Sequence, residues 1–200
     1  MLKLIVIPII LLMIQGCSTF RIGDLQSYKL VASSTNEPNI NLQSLPVVIT
    51  HHATLGMDSS WEISATKKAI IEATKEKFNS NKINFIESYD TLPNEYIKLI
   101  VIQDLAFDLR EGEFGGARMT LAIISGISLM TIPAIDYDTE NYIKIVHMKD
   151  GKEVKSHMYI QDSRRIFGVI FLFSSPFLTM NDTLQRSLSD SFQEFFSNES

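Results

Sequence analysis

The chain has 200 residues, one cysteine and a formal net charge of −5, from 18 lysines and arginines against 23 aspartates and glutamates. That balance argues against a nucleic-acid partner, which needs a basic stripe. A single cysteine excludes a disulfide framework and a cysteine-based zinc site within one chain.

The chain starts MLKLIVIPIILLMIQGCSTF, with Lys3 ahead of an apolar run from Leu4 to Ile14. The run is far shorter than the roughly 20 residues of a membrane-spanning helix, and its layout is that of a cleaved secretory signal. Ile14-Gln15-Gly16-Cys17 resembles the lipobox of bacterial lipoproteins. The resemblance implies a diacylglyceryl thioether on Cys17, cleavage after Gly16 and acylation of the new amino group, palmitate being a usual chain. Ser18, standing where an inner-membrane lipoprotein would carry aspartate, implies an outer-membrane address with the body facing the periplasm. Three acyl chains exceed what stable anchoring needs, at about 0.8 kcal/mol per buried methylene. Without residues 1–16, which hold Lys3 and no acid, 17 basic residues face 23 acidic ones, a balance of −6.

Residues 17–45 are polar and broken by turn-formers, which predicts a tether of little regular structure. Residues 46–200 suit one domain with a substantial core. Pro46 to Thr50 predicts a buried strand. Ser59-Ser60-Trp61-Glu62 has the capping-box spacing and opens a helix to about Asn79, with Ile63, Ile70, Ala73 and Phe78 on its inner face. Ile83 to Glu87 predicts a second strand and Tyr96 to Leu109 a third. In the third, Ile97, Leu99, Val101 and Leu105 alternate with Lys98 and Asp104. Asp150-Gly151 is a two-residue type I′ signal that predicts a hairpin over Tyr142 to Gln161. Stepping outward from it sets Ile145 opposite Ser156 and Ile143 opposite Met158 on a core face shared with His147. Tyr142, Lys144, His157 and Tyr159 fall on the other face. A last amphipathic helix starts near Asn181, with Leu184, Leu188, Phe192, Phe195 and Phe196 on its inner stripe. The expected class is α+β: a mostly antiparallel sheet with helices packed on it.

This order of elements is similar to the periplasmic domain shared by the curli-secretion lipoprotein CsgG and the TolB amino-terminal domain. The stretches that carry it are Pro46–Thr50, Trp61–Phe78, Ile83–Asp90, Tyr96–Phe107 and the hairpin Tyr142–Ile160 around MKDGKEV. Gly115-Gly116-Ala117-Arg118 also resembles the glycine-rich entry to the secretion lipoprotein's membrane insert. The resemblance implies an envelope domain that assembles with others, and it transfers no functional residue.

The usual chemical signatures are absent from the sequence. His51 and His52 are adjacent and His147 and His157 lie on opposite hairpin faces, with no HExxH spacing to support zinc. Asp104, Asp108, Glu111 and Glu113 lack the twelve-residue calcium-loop pattern and read as a solvated face rather than as calcium ligands or paired catalytic carboxylates. No GxSxG elbow or P-loop occurs. No catalytic residue, metal or cofactor is expected.

Two apolar segments, 119–135 and 166–178, carry no charge and follow Arg118 and Arg164-Arg165. They read either as core or as an apolar surface against a membrane or a second copy. Phe167, Phe171, Phe173 and Phe177 make the second segment an aromatic interface candidate, and Tyr142, Lys144, His157 and Tyr159 form a second candidate contact surface. The sequence therefore predicts a non-enzymatic, lipid-anchored assembly or interaction module at the outer membrane, its partner a second copy or another envelope protein. The alternative is a periplasmic ligand-binding module, and an envelope hydrolase comes third.

Overall fold

A computed structural model of the chain describes residues 16–31, 41–53, 60–79, 82–88, 91–105, 124, 134–168 and 179–197. In chain order the elements are β1 (Gly16–Val31), β2 (Val47–Ala53), α1 (Ser60–Lys77), β3 (Ile83–Phe85), β4 (Glu95–Leu105), β5 (Ala134–Lys149), β6 (Lys152–Gly168) and α2 (Met180–Ser197). The six strands form one sheet in the order β1-β6-β5-β4-β2-β3.

The class is α+β as expected, but the sheet is mixed. β2 runs parallel to β3, with Val47 opposite Ile83, and parallel to β4, with Val47 opposite Ile97. The connection explains the first pairing, because a strand that returns through a helix such as α1 comes back parallel. Antiparallel order holds between β4 and β5, where Glu95 meets His147 and Gln103 meets Asn141. It also holds across the β5–β6 hairpin, whose turn residues Asp150 and Gly151 have φ of 49° and 76°.

Of the stretch expected to be a tether, residues 17–31 and 41–45 are described, while 32–40 lie outside the described residues. Residues 16–31 are β1, hydrogen-bonded beside β6, and Leu42 is buried in a short 3-10 turn, Leu42–Ser44. A long edge strand pairs on one side only, so it tolerates the polar, alternating composition that reads as irregular in isolation. Residues 1–15 of the expected signal peptide 1–16, and the segments 106–123, 125–133 and 169–178, lie outside the described residues, while Ala134–Ile135 and Ile166–Gly168 belong to β5 and β6.

The chain divides into two compact units: 23–104, 140–161 and 184–200 make the larger, and 1–22, 105–139 and 162–183 the smaller. The core of the larger unit joins Val47, Ile49, Ile97, Leu99, Val101, Ile143, Ile145 and Tyr159 of the sheet to Ile70 and Ala73 of α1, Phe78, and Leu184, Leu188, Phe192 and Phe195 of α2. Each such valine, leucine, isoleucine or phenylalanine side chain contributes roughly 1.5–3 kcal/mol on burial. Phe78 stands edge-on to both Phe192 (5.2 Å) and Phe196 (5.3 Å), which links the two helices. Ile63 does not join this face; it is 38 % exposed, because the buried stripe of α1 begins one turn later at Thr66. The buried hydroxyls of Thr74 and Ser191 bond back to the carbonyls of Ile70 and Ser187, so hydroxyl residues enter the helix–sheet interface without an unpaired donor.

In the smaller unit, Thr179 and Asp182 cap α2 reciprocally: the Thr179 amide donates to the Asp182 carboxylate and the Asp182 amide to Thr179 Oγ1. Thr139 and Ser163 share a buried 2.5 Å hydroxyl bond, and Thr183 Oγ1 donates to the Thr19 carbonyl.

Candidate functional site

The parallel part of the sheet positions the most distinctive side chains. From β2 the chain crosses through α1 to β3 on one side, and then returns to place β4 on the other side of β2. The order of strands therefore reverses between β2 and β4. In parallel sheets the carboxyl ends flanking such a reversal are where ligands bind. Those ends carry His51 on β2 and Gln103 on β4, and Glu87 follows β3.

His51 Nε2 lies 3.3 Å from Gln103 Oε1. Gln103 Nε2 donates to Asn141 Oδ1 at 3.2 Å, Asn141 Nδ2 to the Gln161 carbonyl at 3.2 Å, and Gln161 Nε2 to the Gly23 carbonyl at 3.5 Å. The row crosses β2, β4, β5, β6 and β1. Gly23, at φ +68°, ends it in a backbone conformation that L side chains rarely adopt.

The row has a determined direction. A carbonyl only accepts, so Asn141 must turn its amide nitrogen to Gln161 and its oxygen to Gln103. Gln103 must then turn its nitrogen to Asn141 and its oxygen to His51. The last donor is therefore His51 Nε2–H, which leaves Nδ1 as the ring's basic atom. Burial lowers the His51 pKa, an effect that the Gln103 bond partly offsets. Lys67 and His52 lower it further and Glu87 raises it. Lys67 is paired with Glu87 at 3.3 Å and lies 4.8 Å above the Phe85 ring. The result is an oriented, neutral imidazole beside a lysine–glutamate pair, able to accept a hydrogen bond or a proton at Nδ1.

The sequence-predicted surface of Tyr142, Lys144, His157 and Tyr159 does not form. His157 and Tyr159 are 2 % and 0 % exposed, and His157 contacts Phe195 of α2. Tyr142 and Lys144 are half-buried and engaged on their own strand's surroundings: the Tyr142 hydroxyl bonds Glu140, and Lys144 Nζ pairs with Glu153 at 3.1 Å. The cause is a shift of register. The turn pairs Lys149 with Lys152, yet Asn141 reaches Gln161, so eight steps on β5 are matched by nine on β6. One extra residue on β6 has the effect of a β-bulge and turns His157 and Tyr159 to the core face. Alternation breaks at Lys155-Ser156-His157, three consecutive buried residues.

His147 is buried as well, its Nε2 2.9 Å from Glu95 Oε1, with Lys149 Nζ 3.9 Å from the same oxygen. His52 is exposed. Cys17 lies in β1 and Phe167 in β6, whereas Phe171, Phe173 and Phe177 lie outside the described residues. Asp104 is half-buried at the end of β4, and Asp108, Glu111 and Glu113 also lie outside the described residues. Among the described residues no three His, Cys, Asp or Glu side chains gather as for a metal ion, and no described helix is long and apolar enough to cross a membrane.

His51 and Gln103 are functional candidates that sequence reasoning passed over. The signal was present at Gln103, the first polar residue in the inward series Ile97, Leu99, Val101, Gln103. No protein-family model matches the chain, and no curated protein is significantly similar to it.

Proposed function

We propose that the chain is a lipid-anchored protein of the outer membrane that works through contact with other envelope proteins or with its own copies. The observation that carries this reading is the junction Ile14-Gln15-Gly16-Cys17, where the only cysteine directly follows a short apolar run. Its position in the fold supports the same reading. Cys17 lies within β1, a terminal strand of the sheet, so a lipid there would be attached to the folded body itself. The similarity in element order to the CsgG and TolB amino-terminal domains is in keeping with an assembly role.

Metabolic labelling with an alkyne palmitate, followed by membrane fractionation of wild type and Cys17→Ser, tests the anchor. Label should appear on wild type in the outer-membrane fraction and vanish in the variant. Unlabelled wild-type protein in the soluble periplasmic fraction would overturn the reading. In-cell crosslinking tests the contact role, and a strict monomer with no crosslinked envelope protein would count against it.

A second reading, a ligand-binding module, is favoured by one observation: His51 Nε2 lies 3.3 Å from Gln103 Oε1 at the carboxyl ends of β2 and β4. It centres on His51, Gln103 and the Lys67–Glu87 pair, and it is compatible with the anchor.

A further inference from the structure

Three buried polar atoms between β6 and α2 have no hydrogen-bond partner among the described residues: His157 Nδ1, His157 Nε2 and Tyr159 Oη. The imidazole is stacked on Tyr159 at 6.2 Å and meets the Phe195 ring edge-on at 5.5 Å. Phe195 is held from a second side by Lys155, whose Nζ donates to the Phe195 carbonyl at 3.0 Å and lies 4.3 Å over its ring. A cation at that carbonyl also suits the negative end of the helix. The last turn of α2 is thus seated on Lys155, His157 and Tyr159. The charged groups acting on the imidazole are Lys155 on its own strand, Lys29 on β1 and Glu194 on α2, two cations against one anion.

We propose that His157 makes the last turn of α2 a proton-operated latch, seated while the imidazole is neutral and released when it is protonated. A buried imidazolium would have two unpaired N–H donors, an aromatic edge against it and two lysines nearby, each of which disfavours the charge. Release exposes the ring to water, where the proton from solvent is accepted at the ordinary histidine value. Burial first, then Lys155 and Lys29, lower the His157 pKa in the seated state. The released form therefore binds the proton more tightly, and acidification below about pH 6.5 shifts the balance toward it. One proton allows at most a tenfold change per pH unit.

The test is hydrogen exchange on the full-length protein in mild detergent between pH 7.5 and 5.0, corrected for intrinsic rates. The opening constant of amides 190–197 should be flat above pH 6.5 and rise up to tenfold per unit below it, while amides 66–77 of α1 stay less open than those of α2 at every pH. His157→Phe and, should that variant misfold, His157→Gln should abolish the rise. Lys155→Met should raise opening at every pH and keep the slope. The latch is overturned by a flat wild-type profile, by the same slope without His157, or by α1 opening in step with α2.

Discussion

Replacing Gln103 with leucine removes the second link of the amide row at nearly constant volume. The bonds at 3.3 Å to His51 and 3.2 Å to Asn141 go with it. Asn141 is 1 % exposed and Gln103 fully buried, so Asn141 Oδ1 loses its Gln103 donor where water has little access. A buried acceptor stripped of its donor costs about 1–3 kcal/mol. His51 is half-exposed and recovers part of its loss from water, so its share is under about 1 kcal/mol. The apolar gain of leucine offsets about 1 kcal/mol. The expected net loss is about 2 kcal/mol, or roughly 4–8 °C in Tm for a chain of this size. Urea unfolding of a Cys17→Ser form, followed by far-ultraviolet circular dichroism, measures it. The double variant Gln103→Leu/Asn141→Leu should cost less than the sum of the singles by about 1 kcal/mol, because the two singles remove the same bond. A single-variant cost below about 0.5 kcal/mol, or strict additivity, would refute the row as an energetic unit.

Phe192→Ala removes a fully buried ring that stands edge-on to Phe78; it should cost about 3–5 kcal/mol in the same urea assay. Gly151→Val forces a β-branched residue into φ 76°, where only strain can result, and should cost at least about 1 kcal/mol. Ile124 is 41 % exposed, so Ile124→Arg should leave the cooperative melt unchanged, whereas a core role for that position requires unfolding. The lowered His51 pKa means that the unfolded chain binds this proton more readily than the folded one. Its contribution to stability is therefore full above pH 6.5 and declines as pH falls toward the folded value. His51→Gln should flatten that part of the stability–pH profile, and ring nitrogen shifts measured by NMR should report Nε2–H as the neutral tautomer.

The legible parts of the fold were those set by local pattern. α2 announced itself through Leu184, Leu188, Phe192 and Phe195 at helical spacing, and all four are fully buried. The turn Asp150-Gly151 has the two positive φ angles that its residue pair favours. What the pattern missed was non-local. The polar stretch 17–31 looks irregular until β6 supplies the other half of its hydrogen bonds. A two-residue turn specifies register only until a bulge intervenes, and one extra residue on β6 moved His157 and Tyr159 from the expected outer face to the core. The parallel pairing of β2 with β4 has no local signature, so the meeting of His51 with Gln103, 52 positions apart, was not readable from either residue alone.

The same strand that carries Cys17 is tied into the fold by its main chain. In the smaller unit the Thr19 carbonyl accepts the Thr183 hydroxyl, and in the larger unit the Gly23 carbonyl ends the amide row. A tether would transmit nothing from a membrane anchor to the body, since a flexible chain decouples the two. A strand behaves otherwise, because its position is part of the sheet's register and moving it breaks named bonds. Within the larger unit, a shift of residues 23–31 of β1 would disturb the Gly23 end of the row that orients His51.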